Sequence, residues 1–99
     1  MIMEPFVVHG CAVNATADDP DRWMKFRTGV DKVAEAAKRV ANGHGIYFLP
    51  LQEIFDEASK LAPSDYWTVD GVHPSAAGHE LIKREWLTAY SKITGEKTE

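Results

Sequence analysis

The side chains best suited to chemistry lie in residues 67–79, which read Trp-Thr-Val-Asp-Gly-Val-His-Pro-Ser-Ala-Ala-Gly-His. Asp70 and His73 are three positions apart, and Gly71 between them allows the chain to turn. Across such a turn the carboxylate reaches one imidazole nitrogen, which fixes the tautomer and leaves the other nitrogen to accept a proton. The spacing therefore allows His73 to accept a proton while Asp70 orients its ring. The alternative is that both side chains only cap the helix that follows.

Nucleophilic catalysis by such a pair would need a nucleophile, and the sequence offers four weak candidates. Ser75 lies two positions after His73 and is expected to point into the start of the following helix. Ser59 and Ser64 fall on or after a predicted surface helix, and no G-x-S-x-G turn surrounds them. Cys11 follows the first predicted strand, but a lone cysteine is more often a small buried apolar residue. We therefore expect none of the four to be the nucleophile.

Three neighbours of the pair have a functional and a structural interpretation. Tyr66 and Trp67 are candidates to line a substrate pocket, and aromatic packing under the loop is an equal alternative. His79, together with Asp70 and His73, would offer three metal ligands. A solvated or capping histidine fits its position better, so we expect no metal site.

The helices and strands that position the pair are predicted from the hydrophobic periodicity and from the turn residues. Two apolar runs, Ile2–Val8 and Ile46–Leu51, have the length of buried strands. Between them, apolar residues at helical spacing predict a long helix that starts at Asp19-Pro20 and exits at Asn42-Gly43. A strand, a long helix and a second strand form a unit with parallel strands.

Two further helices complete the predicted architecture. A short helix is expected to stop before Pro63 and to bury one face, made of Ile54, Phe55, Ala58 and Leu61. After an irregular stretch up to Pro74, a last helix is expected to bury a stripe of Leu81, Ile82, Trp86, Ala89, Tyr90 and Ile93. The sequence thus predicts an α/β domain over residues 1–94, with two parallel strands and about three helices. A frayed tail is expected at residues 95–99.

The composition excludes several classes of function. The 99 residues contain 11 Lys+Arg and 15 Asp+Glu, a formal charge of −4, and such a chain without a basic stripe is not expected to bind nucleic acid. No apolar run approaches the roughly 20 residues of a membrane span. The opening Met1–Gly10 lacks the basic region and cleavage site of a signal peptide, so a cytoplasmic location is expected. A single cysteine, Cys11, excludes an internal disulfide.

The run D-G-V-H-P-S-A-A-G-H at residues 70–79 resembles the last sequence block of the SGNH/GDSL hydrolase family, whose Asp and His belong to a Ser-His-Asp triad. The resemblance extends back through Trp67, the I-Y-F-L-P-L run with its following F-D-E-A helix, and the opening E-P-F-V-V strand, in the family's order. It implies a flavodoxin-like three-layer fold, of which this chain resembles the C-terminal half. It also implies hydrolysis of carboxylic (acyl or acetyl) esters without a cofactor, with His73 as general base and Asp70 as its orienting carboxylate.

The family's other catalytic blocks have no counterpart in these 99 residues. The G-D-S block of the nucleophile and the glycine and G-x-N-D blocks of the oxyanion hole are absent. We therefore expect the chain to be inactive alone and a small ester to be the substrate of the complete enzyme. The first predicted strand also has no neighbour on its outer side. The alternative function is therefore a non-catalytic half-domain that pairs through this edge with an N-terminal half, or with itself as a homo-oligomer.

Overall fold

The computed structural model describes residues 1–10 and 21–96. Its elements in chain order are β1 (Ile2–Met3), α1 (Arg22–Gly43), β2 (Phe48–Leu49), α2 (Leu51–Ala58), α3 (Ser64–Trp67) and α4 (Ala76–Thr94). β1 and β2 pair in parallel, with Ile2 opposite Phe48 and Met3 opposite Leu49. The prediction of an α/β fold with two parallel strands is confirmed, and the four-residue α3 is added to the three expected helices.

The first strand is shorter than the apolar run Ile2–Val8 that predicts it. Regular pairing stops at Met3, and the last bond to β2 runs from the N–H of Glu4 to the C=O of Leu49. No further pairing is available there, because β2 ends at Leu49 and α2 begins at Leu51. Further along, the N–H and C=O groups of Val7 are bonded to the side chain of Gln52 and not to a strand. The prediction of a strand beyond Met3 is therefore wrong.

The second strand is also shorter than predicted. Within the run Ile46–Leu51, only Phe48–Leu49 pairs with β1. Pro50 ends the strand, since it has no N–H, and Leu51 already begins α2. The strand prediction is therefore wrong at both ends of this run.

The predictions for the start and the end of α1 have different outcomes. The predicted start at Asp19-Pro20 lies outside the described residues, and the described helix begins at Arg22. At the other end, the N–H of His44 still bonds to helix carbonyls, so the left-handed residue is Gly45, with φ 64°. The helix thus ends at Gly43, as predicted, but the prediction that Asn42-Gly43 supplies the left-handed residue is wrong.

The later helices bury less than their apolar patterns predict. Because α2 already ends at Ala58, Leu61 lies beyond the helix and is 85% exposed. In α4, Ala89 is buried as expected, but Trp86 and Ile93 are exposed. α4 ends at Thr94, followed by a left-handed Gly95, and residues 97–99 of the predicted tail lie outside the described residues.

The core lies between the two strands and the helices α2 and α4. Its buried members are Val8, Leu49, Leu51, Phe55 and Ala89. The ring of Phe6 stacks on Phe55 with a centroid distance of 4.2 Å. This stack packs the segment after β1 against α2, so the fold fixes that segment even where regular strand pairing has ended.

The surfaces of the two long helices are charged. Ion pairs join Arg39 to Glu35 in α1 and Arg84 to Glu80 in α4. Within residues 1–10 and 21–96, no helix is both long and apolar enough to cross a membrane.

Candidate functional site

Residues 68–74 form a narrow loop between α3 and α4. The N–H of Val69 donates to the C=O of His73 over 2.8 Å, and the N–H of Ser75 donates to the C=O of Trp67 over 2.9 Å. These two bonds hold the ends of the loop side by side. The two candidate residues of the pair therefore lie together at its closed end.

The carboxylate of Asp70 is bonded through both of its oxygens. Oδ2 lies 2.6 Å from Nδ1 of His73, and Oδ1 accepts from the backbone N–H groups of His73 (2.9 Å) and Val72 (3.1 Å). The imidazole hydrogen bond, followed by these two backbone bonds, holds the pKa of the Asp70 carboxyl below its ordinary value. An ionised carboxylate only accepts, so in the neutral imidazole Nδ1 carries the proton and Nε2 keeps a free lone pair.

The imidazole is open to its surroundings. The side chain of His73 is 76% exposed, whereas that of Asp70 is 31% exposed. Asp70 is thus the more enclosed member of the pair, and His73 presents Nε2 at the surface. Chemically, this arrangement is a proton acceptor whose orientation is fixed by a carboxylate.

Both backbone groups of Gly71 are hydrogen-bonded. Its N–H donates to Oγ1 of the fully buried Thr68 over 3.0 Å, and its C=O accepts from the N–H of Val8 over 2.8 Å. Its φ of 96° lies in a region that side chains with a Cβ rarely adopt. These bonds connect the loop to the segment that follows β1.

The hydroxyls of Ser75 and Ser59 are engaged elsewhere, and Ser64 is the first residue of α3. Oγ of Ser75 donates to the C=O of Tyr66 over 2.6 Å and accepts from the N–H of Gly78 over 3.2 Å, which makes Ser75 the N-cap of α4. This is the position expected from the sequence. Oγ of Ser59 donates to the C=O of Phe55. Cys11 lies outside the described residues.

Trp67 is bonded to α2 and to the turn that follows it. Its indole N–H donates to the C=O of Ala58, the last residue of α2, over 3.0 Å and to that of Ala62 over 3.2 Å. The Tyr66 ring meets the indole edge-on, 4.7 Å away, and is about half exposed. Among the described contacts, neither ring is bonded to His73.

His79 is exposed in the first turn of α4, where the sequence places it. Its backbone N–H donates to the C=O of Ser75. In the part of the chain that the structure describes, no three His, Cys, Asp or Glu side chains are grouped to hold a metal ion.

The model of the GDSL-like Lipase/Acylhydrolase family matches residues 4–81. The chain belongs to this family. A crystal structure of a GDSL-like lipase from Parabacteroides merdae superposes with a TM-score of 0.74 at 32% identity, over 88% of this chain and 37% of that one. The acetylxylan esterase of Geobacillus stearothermophilus is 29% identical over 87 residues, which make up 88% of this chain and 35% of that protein. The chain therefore spans about a third of the length of these GDSL-like relatives.

Two residues with a structural role near the start of α4 and in the core of α2 were missed by the sequence analysis. A Cβ at Gly78 would collide with the carbonyl oxygen of Trp67, so only glycine fits the first turn of α4 as it is packed here. The sequence signal for Gly78 is a glycine inside a predicted helix, since glycine has a low helix propensity. Gln52 is buried and bonds Val7. Its signal is a polar residue three positions before Phe55, on the buried face of α2.

Proposed function

We propose that this chain supplies the general base and its orienting carboxylate to a GDSL-type serine hydrolase that cleaves carboxylic (acyl or acetyl) esters. Nε2 of His73 accepts the proton of an attacking serine and later passes it to the leaving alcohol. Asp70 orients the imidazole and stabilises the imidazolium. The observation that carries the proposal is the 2.6 Å contact between Oδ2 and Nδ1, in a loop that also holds Oδ1.

In this proposal, the serine and the oxyanion donors come from polypeptide outside these 99 residues. No G-D-S block occurs in the sequence, and the relatives are roughly three times as long as the matched stretch. Loss of a triad serine costs several powers of ten in rate. Loss of one oxyanion donor costs about a further 10²–10³. We therefore expect the chain alone to hydrolyse esters at a negligible rate.

A complementation experiment tests this function. The chain is co-expressed with, or fused to, the part of the Geobacillus stearothermophilus acetylxylan esterase that it does not span, and acetate release from p-nitrophenyl acetate is measured. The chain alone should give the background rate, and the complemented enzyme should lose about 10³-fold or more when His73→Ala is introduced. His79→Ala, at an exposed histidine of α4, is the matched control and should keep the rate.

Two results would contradict the proposal. A complemented enzyme whose rate is the same with and without His73→Ala would remove the general-base role. A robust rate from the chain alone, abolished by His73→Ala, would show that its nucleophile lies within the chain.

A second candidate function is a half-domain that pairs through the free edge of β1. The N–H of Ile2 donates to the C=O of Tyr47, just before β2, and the N–H of Glu4 donates to the C=O of Leu49. The backbone groups of Met3 therefore face the other side. In the described residues, β1 pairs with β2 only, and Met1 and Met3 are 37% and 50% exposed. An unpaired edge with exposed apolar side chains favours the addition of a further strand. The partner is a complementary N-terminal half or a second copy of the chain.

Size-exclusion chromatography with light scattering tests this second function. The chain is run alone over a range of concentrations and then with the complementing polypeptide described above. A dimer, or a complex with that polypeptide, is the expected result. A well-folded monomer at high concentration that also fails to bind the polypeptide would refute pairing through β1.

A further inference from the structure

A buried glutamine of α2 is bonded to the backbone of the segment after β1. Gln52 is 6% exposed. Its Oε1 accepts from the N–H of Val7 and its Nε2 donates to the C=O of Val7, each over 2.9 Å. One side chain thus satisfies both backbone groups of a residue, as a neighbouring strand would. Because a buried N–H or C=O without a partner is costly, Gln52 determines where Val7 lies.

Asp56 determines the orientation of the side-chain amide of Gln52. Its Oδ1 accepts from Nε2 of Gln52 over 2.9 Å. A carboxylate has no proton to donate, so the amide nitrogen must face Asp56 and the amide oxygen must face the N–H of Val7. The backbone N–H of Gln52 also donates to Oε1 of Glu4 over 2.8 Å, which joins the start of α2 to the same segment.

The segment held by Gln52 is bonded to the loop of the Asp70–His73 pair. Val8, the residue after Val7, donates its N–H to the C=O of Gly71 over 2.8 Å. Gly71 directly follows Asp70 in the chain. A displacement of Val7 therefore reaches the Gly71–Val72 peptide through one peptide unit and one hydrogen bond, and the N–H of that peptide donates to Oδ1 of Asp70.

We propose that Gln52 is a positioning residue for the Asp70–His73 pair, acting through Val7, Val8 and Gly71 and not through contact with the imidazole. The proposal rests on the proposed function, in which Asp70 orients the base. Without the amide, the Gly71 peptide moves and the Oδ2 to Nδ1 contact is lost for part of the time. The imidazole then no longer has a single preferred tautomer, because the bond at one ring nitrogen sets which nitrogen carries the proton.

Nitrogen-15 NMR of the 99-residue chain tests this without any ester hydrolysis. Gln52→Met keeps the length of the side chain and removes both bonds to Val7. At a pH where His73 is neutral, the wild type should show mainly the Nδ1–H tautomer, and the variant should shift towards Nε2–H. Hydrogen exchange of the Val8 amide should become about tenfold faster, the factor expected when hydrogen bonding of ordinary strength is lost.

Two further variants make the result decisive. Ala89→Gly weakens the core within α4 and makes no hydrogen bond to the first segment, so it should lower stability and leave the His73 tautomer unchanged. Asp56→Ala removes the partner that orients the amide and should shift the tautomer in the same direction by less. It replaces Gln52→Met as the test if that variant does not fold.

The outcomes separate the two proposals. An unchanged tautomer and unchanged Val8 exchange in the folded Gln52 variant would overturn the positioning role, as would an equal tautomer shift in Ala89→Gly. A wild-type imidazole without a preferred Nδ1–H tautomer would instead count against the proposed function, because the pair would not form in solution.

Discussion

Gly78→Ala is expected to destabilise the chain even though alanine is the better helix former. Gly78 lies in the first turn of α4, and an added Cβ would overlap the carbonyl oxygen of Trp67 and lie 3.1 Å from Cβ of Pro74. The oxygen is a backbone atom that already accepts from the N–H of Ser75. Neither the helix nor the loop end can therefore move aside without loosening the bond that closes the loop.

The magnitude follows from two opposing terms. Replacing glycine by alanine inside a helix stabilises it by about 0.5–1 kcal/mol. Forcing an extra carbon into a packed site costs about 1–3 kcal/mol, and the upper part of that range applies because the obstacle is backbone. The net loss is therefore about 2 kcal/mol. Gly29→Ala in α1 is the matched control, since no atom lies within 4 Å of its added Cβ, and it should gain the full helix term.

Urea unfolding of the two variants gives both free energies of unfolding on the same scale. The two substitutions are chemically identical, so the difference between them isolates the contact with Trp67. We expect opposite signs, with Gly78→Ala below the wild type and Gly29→Ala above it. A Gly78→Ala chain that gains as much stability as Gly29→Ala would refute the close packing of α4 against the loop.

Two further predictions concern the loop itself. Because the folded-state pKa of Asp70 lies below its unfolded value, the carboxylate stabilises the fold above about pH 4, and this contribution is lost as the pH falls through the lower folded value. Urea unfolding of Asp70→Asn at several pH values should lack this dependence, and a profile identical to the wild type would contradict it. Thr68→Val leaves the N–H of Gly71 without its side-chain acceptor and should cost about 1–3 kcal/mol by urea unfolding. Ser59→Ala, which removes the hydroxyl of the exposed residue just after α2, should cost less than about 0.5 kcal/mol, and equal losses would contradict the argument.

The helices were more predictable from the sequence than the strands, for a physical reason. A helix closes its hydrogen bonds within four residues, so local spacing contains most of the information about α1, α2 and α4. A strand obtains its bonds from elsewhere in the chain. The run Ile2–Val8 is apolar enough to be buried throughout, yet its later part bonds to a side chain and a loop carbonyl in place of a strand. The burial of Val7 and Val8 was therefore predictable, but the exposure of Met3 and the length of the strand were not.

The two parts of the candidate site also differ in how far apart their hydrogen-bonded residues lie in the sequence. The Asp70–His73 contact joins residues three apart, and a turn at Gly71 makes it accessible to reasoning from spacing. The Gln52–Val7 bonds join residues 45 apart, and no local pattern selects Val7 from the other buried backbone. A polar side chain on the apolar face of a short helix is the sequence signal of such a bond, because a buried amide requires hydrogen-bond partners. This signal identifies Gln52 as a residue with a buried hydrogen-bond partner. The structure shows that the partner is Val7 and that the next residue, Val8, is bonded to Gly71.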